Sequence, residues 1–369
     1  MQSWRALHAW LLRAHEAGFT PVSNADFTIY RYCVDKASGH APDAALAQRF
    51  DQQLPEQLSP LPPPELARQL ETLCAAAWLH TAWSADGMAS AGASARMVQL
   101  DQAVQQQARQ LGHAPEGESR RNFFRSVRYL RLRLPTSAPL LRQLLEASLP
   151  ALLPPDLPTT PPQPVELGLD GGLTAELLQL LQLHRSGVPV PGLEHHVRTS
   201  LLQLLGVMQR VDFQEGHYSV FPYQLHGLAG APTFSAELSW HRGDLGQALL
   251  FYEAHALLGD NELIKTAELV GLNTLLRTSL AATQVNTPRW DRGASGLAHL
   301  YAKIHRLSGH PAYLAGCHYW LNQTQQWLPQ ELGADRQPTA DALSDIIRVG
   351  LVLLTALSED ELAWDAILL

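Results

Sequence analysis

Two stretches of this chain place ionisable side chains beside a tryptophan and ahead of a glycine: Trp-His-Arg-Gly-Asp at 240–244 and Trp-Asp-Arg-Gly at 290–293. The chemistry these residue types could do is limited. His241 is a candidate base and Arg292 a candidate clamp for an anion or oxyanion. His241 and Asp291 are both candidate metal donors, but arginine has no lone pair to give at neutral pH. Two facing carboxylates, as glycoside hydrolysis requires, would have to be Asp244 and Asp291. Each sits where an acid commonly caps a helix, so capping is the default expectation for both. His226 lies in Leu-His-Gly-Leu-Ala-Gly (225–230) and reads as a loop histidine. Cys317 falls in a helical segment and reads as a small buried residue. The sequence contains no His-Glu-x-x-His, Walker A loop, Gly-x-Ser-x-Gly or Cys-x-x-Cys.

The elements that must position these residues are helices. LTAELLQLLQLHRSG (173–187) puts Leu173, Leu177, Leu180, Leu181 and His184 on one face and stops at Gly187. DNELIKTAELVGLNTLLRT (260–278) opens with Asp260 or Asn261 as N-cap. SGLAHLYAKIHRLSG (295–309) ends at Gly309, and the next helix starts at Pro311, where a missing N–H costs nothing. Period-two runs are nearly absent, so the expected class is all-α. A Gly-rich turn followed by an amphipathic helix recurs three times in the C-terminal half, with Trp240 and Trp290 at matching offsets 50 residues apart. Such a period fits stacked helical hairpins and predicts that Gly168, Gly243 and Gly293 share one end of the array.

Composition narrows the class of function. Of 369 residues, 46% are hydrophobic and 17% charged, with a net charge of −8 and lysine only at 36, 265 and 303. No basic run is present, which argues against a nucleic-acid partner. The first helix lacks the charged-then-apolar form of a signal peptide, and no run approaches the ~18 apolar residues of a membrane span. Three scattered cysteines (33, 74, 317) predict reduced thiols and a cytoplasmic protein. Proline-rich stretches at 58–65 and 153–165 punctuate the chain. The expected organisation is an N-terminal helical segment, 1–64, followed by a helical body, 65–369, with the second proline-rich stretch as an internal connection.

Four segments together resemble the lanthionine synthetase C-like (LanC-like) cyclases. SAELSWHRGDLGQALLFYEAHALLGDNELIKTA (235–267) is similar to the family segment built on Ser-Arg-x-x-Trp-Cys-Tyr-Gly-Asp-x-Gly. WDRGASGLAHLYAKIHRLSGHPAYLAGCHYWLNQT (290–324) resembles the Cys-His-Gly-x-x-Gly segment and its following helices, ELGLDGGLTAELLQLLQLHRSGV (166–188) the helix whose turn reads His-Gly-x-x-Gly, and GLVLLTALSEDELAWDAILL (350–369) the C-terminal helix and terminal Trp-Asp-x-x-Leu-Leu. Order and spacing agree from about residue 165 to the end. The resemblance implies an α/α toroid of about seven helical hairpins. It also implies a reaction in which zinc, held by Cys, Cys and His, activates a peptide thiol for addition to a dehydroamino acid.

At the positions that match those ligands this chain has His241, Asp291 and Arg292. The family Arg before the Trp is Glu237, the Tyr after the first Cys is Arg242, and the His of His-Gly is Gly171. Two donors are one short of a catalytic zinc set. A guanidinium ~4 Å from the dication would oppose it by several kcal/mol at an effective dielectric of 20. The sequence therefore predicts a degenerate member that binds no zinc and acts as a non-catalytic peptide-binding or partner subunit in ribosomal-peptide modification. Trp240, His241, Arg242, Asp291 and Arg292 would line its cavity mouth. The alternatives are an active cyclase-like enzyme that forms thioether rings, an enzyme with altered chemistry using His241, Asp291 and Arg292, and a structural subunit with an unused cavity. Arg292 is expected to pair with Asp291 and hold its carboxyl below the usual range.

Overall fold

The computed structural model describes residues 2–19, 24–55, 58, 61–112, 117–152, 164–225, 232–333, 338–358 and 362–368. These form fifteen helices: α1 (Gln2–Glu16), α2 (Asn24–Ala37), α3 (Ala44–Gln53), α4 (Pro63–Ala85), α5 (Ala91–Gly112), α6 (Gly117–Leu132), α7 (Ala138–Leu152), α8 (Leu173–Arg185), α9 (Leu193–Gly206), α10 (Asp244–Leu258), α11 (Asn261–Leu275), α12 (Leu280–Thr283), α13 (Ala294–Ser308), α14 (Pro311–Leu332) and α15 (Ala340–Leu357). The remaining regular structure is a single 3-10 turn, Trp364–Ile367, and a small antiparallel sheet of two-residue strands, β1 (Val165–Glu166), β2 (Gln224–Leu225) and β3 (Pro232–Thr233). The all-α expectation holds. Most of the proline-rich connection and all of His226 to Gly230 lie outside the described residues.

Contacts divide the chain into two compact units. The first comprises 1–21, 157–181 and 192–357; the second comprises 22–156, 182–191 and 358–369. The segment 1–64 drawn from the sequence is thus shared between them: α1 belongs to the first unit, where it packs on α14 and α15, and α2 and α3 to the second.

In the first unit, α10 and α11 form one helical hairpin and α13 and α14 another, with α10 packed on α13 and α13 on α15. α10 is buried continuously from Asp244 to Ala254, and α13 from Ala294 to Tyr301. Over these stretches neither helix keeps an exposed face, so both belong to the core of the unit, whereas α11 and α14 keep exposed faces. The punctuation is the one the sequence specifies. Gly259 and Gly309 end α10 and α13 in the left-handed conformation, at φ 65° and 68°. Asp260 caps α11 through the backbone N–H of Glu262, and Pro311 opens α14.

In the second unit, α4 packs on α6, and α5 on α6 and α7. Its interior holds Trp83, Phe123, Phe124 and Tyr129, together with a buried polar chain through His80, Arg133 and Asp101.

Candidate functional site

The site is built from three turns of the first unit, each leading into a helix: 167–172 before α8, 238–243 before α10 and 289–293 before α13. They are joined through their backbones. The N–H of Leu169 donates to the carbonyl of His241 at 3.1 Å, and the N–H of His241 to the carbonyl of Asp291 at 3.4 Å. Glycine is required for this approach. A Cβ on Gly168 would lie 2.3 Å from the His241 carbonyl oxygen, and one on Gly296 would lie 2.1 Å from that of Trp290. The expected convergence of the Gly168, Gly243 and Gly293 turns is observed. A fourth element reaches in from α15, where Asp345 accepts the backbone N–H of Asp291 at 3.2 Å.

His241 is the centre of the charged cluster. Its Nδ1 lies 3.2 Å from Asp170 and 3.5 Å from Asp291, with the side chain only 17% exposed. The hydrogen bond to Asp170 raises the imidazole pKa; burial opposes it, and the charges of Asp170 and Asp291 add to it. Arg292 is 60% exposed, with Nε 3.7 Å from Asp291 and 3.8 Å from Glu237. Ser239 ties the turn together by donating to Glu237 and accepting the N–H of Arg242.

The structure therefore brings His241, Asp291 and Arg292 together but revises their roles. Asp291 is not held down by Arg292. Burial, with Asp170 adding to it, raises its pKa against the lowering effects of His241 and Arg292. The nearer cationic partner of Asp291 is the imidazole and not the guanidinium. Asp345, half-buried beside the same turn, is pushed up to about 6 by its partial removal from water, with Arg348 opposing the shift.

Two of the expected mouth residues pack inward. Trp240 is buried, its ring 5.4 Å from that of Trp290. Arg242 stacks over Tyr223 at 4.8 Å and lies 3.9 Å from Glu166. Asp244 and Asp291 do not cap helices. Asp244 is fully buried, pairs with Arg277, and accepts the N–H groups of Val220 and Phe221, so it pins the 218–221 loop to α10. Cys33, Cys74 and Cys317 are buried free thiols, and burial pushes Cys317 up to about 11.

Asp170 and Asp345 were not singled out from the sequence. Asp170 had a usable signal, since it falls in the first copy of the same repeated turn that carries His241 and Asp291. Asp345 had none, being 54 residues from Asp291 on another helix.

The positions that match the family's Cys, Cys and His zinc ligands carry His241, Asp291 and Arg292. The carboxylates of Asp170 and Asp291 both approach the same imidazole nitrogen, Nδ1, which then presents N–H and leaves the lone pair of the neutral ring at Nε2. None of those positions is a cysteine, and a guanidinium adjoins Asp291. Among the described residues, no group of three His, Cys, Asp or Glu side chains is arranged to hold a metal ion. None of those helices is long and apolar enough to cross a membrane.

No family model matches the chain, and no curated protein matches it.

Proposed function

We propose that this chain is a LanC-like helical toroid in which an ion-pair cluster replaces the thiol-activating metal centre. In this reading it binds a peptide, or an enzyme that modifies one, in the cytoplasm, without closing thioether rings. The observation that carries the reading is the junction of the three Gly-rich turns. They are the segments of the resemblance, and the side chains at the positions matching the family's zinc ligands meet there as His241, Asp291 and Arg292. Asp170 and Glu237 extend the cluster with two further carboxylates. A partly exposed group of alternating charges suits recognition of a polar peptide segment more than activation of a thiol.

The test uses a short peptide with one cysteine and one dehydroalanine, incubated with the purified protein and added zinc. Saturable binding with the thiol still open to alkylation is expected, as is loss of binding in His241→Ala and Asp291→Ala. Protein-dependent disappearance of the free thiol would overturn the reading.

One observation favours a second reading, an enzyme with altered chemistry. Carboxylates on Nδ1 and a raised pKa are what orient a histidine for proton transfer at its other nitrogen. In that case turnover of a peptide substrate would vanish in His241→Gln and fall, with a shifted pH profile, in Asp170→Asn.

A further inference from the structure

In the second unit a tryptophan and two arginines form a basic cradle around residues 363–368. Arg128 and Arg131 stand one turn apart on α6, and Trp78 faces the same segment from α4. All three donate to main-chain carbonyls of one short stretch: Trp78 Nε1 to Ala363 at 3.1 Å, Arg131 Nη2 to Ala366 at 3.0 Å, and Arg128 Nη1 to Leu368. Between these points Trp364 is buried to 1% exposure.

The arrangement concentrates positive charge beside the segment. Arg128 is buried, and its Nε has no hydrogen-bond partner among the described residues. Burial, together with the neighbouring charge of Arg128, pushes Arg131 down to about 10. Arg185 adds a further like charge, and Asp365 supplies the opposing one. A buried and a half-buried cation side by side favour negative charge close to them. The segment they hold belongs to an acidic stretch: Glu-Asp-Glu at 359–361 and Asp365, with no basic residue between 358 and 369.

We propose that the Trp78–Arg128–Arg131 cradle is a peptide-docking site. Its ligand is an acidic segment that inserts a tryptophan and offers successive backbone carbonyls, and its resident occupant is the chain's own 362–368. The grip is of the kind that exchanges. Three side-chain donors meet main-chain oxygens, which any peptide of the right shape carries, and selectivity rests on one aromatic anchor and on charge. A matching acidic segment from a second copy of this chain would therefore dock in trans.

The probe is a fluorescent peptide of sequence SEDELAWDAILL, titrated against three full-length proteins and one variant ending at Leu357. Wild type should bind it weakly, because the resident segment competes. Full-length Trp364→Ala, which weakens that competitor and leaves the cradle intact, should bind at least tenfold more tightly, as should the shortened variant. Adding Arg128→Ala and Arg131→Ala to the Trp364→Ala chain should weaken binding at least tenfold, and raising salt should weaken it in the chain that keeps both arginines. The proposal is overturned if full-length Trp364→Ala binds the peptide no better than wild type, or if the arginine substitutions leave its affinity unchanged. Because these arms use full-length protein, misfolding of the shortened variant does not affect the outcome, and circular dichroism checks the fold of each. The site proposed at the three turns plays no part in this binding, so the two ideas fail separately.

Discussion

Each unit holds a partly or fully buried histidine in a charged network, and the two networks set the rings to opposite states. In the second unit, His80 accepts at Nδ1 from Arg133 at 2.9 Å, and its Nε2 lies 3.2 Å from Ser94 Oγ. A guanidinium can only donate, so Nδ1 holds the lone pair and Nε2 the proton. Burial and the Arg133 charge push this imidazole down to about 4. In the first unit, His241 meets carboxylates at the equivalent nitrogen, and its pKa rises. The sign of the charge at Nδ1 makes one histidine a fixed, neutral strut and the other a titrating group within reach of solvent. Only the second is suited to binding or chemistry.

If the His80 network is structural, breaking it should have the largest effect in the molecule. Arg133 lies 3.2 Å from Asp101, which also accepts from Tyr129 at 2.8 Å, and all three side chains are buried. Arg133→Ala would leave the Asp101 carboxylate without its cation and His80 without its donor. Such a loss costs roughly 3–5 kcal/mol. Chemical denaturation should show it, with partial recovery on adding Asp101→Asn. A loss below about 1 kcal/mol would mean that this network is not the strut described.

A smaller but still clear effect is expected in the first unit from Gly168→Ala. The added methyl group would meet a backbone carbonyl, which cannot swing aside as a side-chain tip can. Overpacking of this kind costs about 1–3 kcal/mol. The loss should be accompanied by a shift of the His241 ring resonances, because the carbonyl displaced is its own. Unchanged His241 resonances would argue against the backbone junction of the turns.

The titration of the two rings sharpens the comparison directly. By NMR, His241 should titrate above 6.5, and Asp170→Asn should move its midpoint down. His80 should stay neutral until the pH approaches 4. The stability consequences have opposite signs. A raised pKa in the folded state stabilises below the unfolded value of about 6.5 and is lost as pH rises through the folded midpoint, so His241 supports the fold at mildly acid pH. A depressed one stabilises above about 6.5 and is lost as pH falls, so His80 removes ~2–3 kcal/mol between pH 6.5 and 4. Equal midpoints for the two rings would refute the contrast.

Much of the first unit was legible in the sequence because its signals are local. Gly259, Gly309, Asp260 and Pro311 mark helix ends through backbone conformation and capping, which depend on neighbours in the chain. The recurrence of Trp-x-Arg-Gly identified two of the three turns that meet at the site. What depended on distant packing was not legible. The Asp345 contact comes from another helix, the burial that raises Asp291 comes from the surrounding elements, and the inward packing of Trp240 is set by Trp290. Asp244 has the residue type and position of a cap, yet its partner Arg277 lies 33 residues on and turns it into a buried staple. The convergence of Arg128, Arg131 and the segment around Trp364 joins regions more than 230 residues apart, beyond any local pattern.

The smallest predicted effect concerns Asp345 and tests whether the acids around His241 are strained or settled. Its carboxyl rises to about 6 because it is mostly removed from water, with Arg348 only partly compensating. A carboxyl raised in the fold contributes stability below its ordinary value near 3.8 and loses it as pH climbs through about 6, so near pH 8 the ionised form is a cost. Asp345→Asn removes that cost and keeps an oxygen to accept the Asp291 N–H, a hydrogen bond that ties the third turn to α15. Solvent contact and Arg348 screen the charge, so the gain at pH 8 should be modest, about 1 kcal/mol or less, and should vanish below pH 5. The same substitution removes a negative charge beside Asp291 and should lower the Asp291 midpoint. If Asp345→Asn instead loses more than about 1 kcal/mol at pH 8, the ionised carboxylate is stabilising the turn. The cluster around His241 would then resemble the closed network around His80 more than an open site.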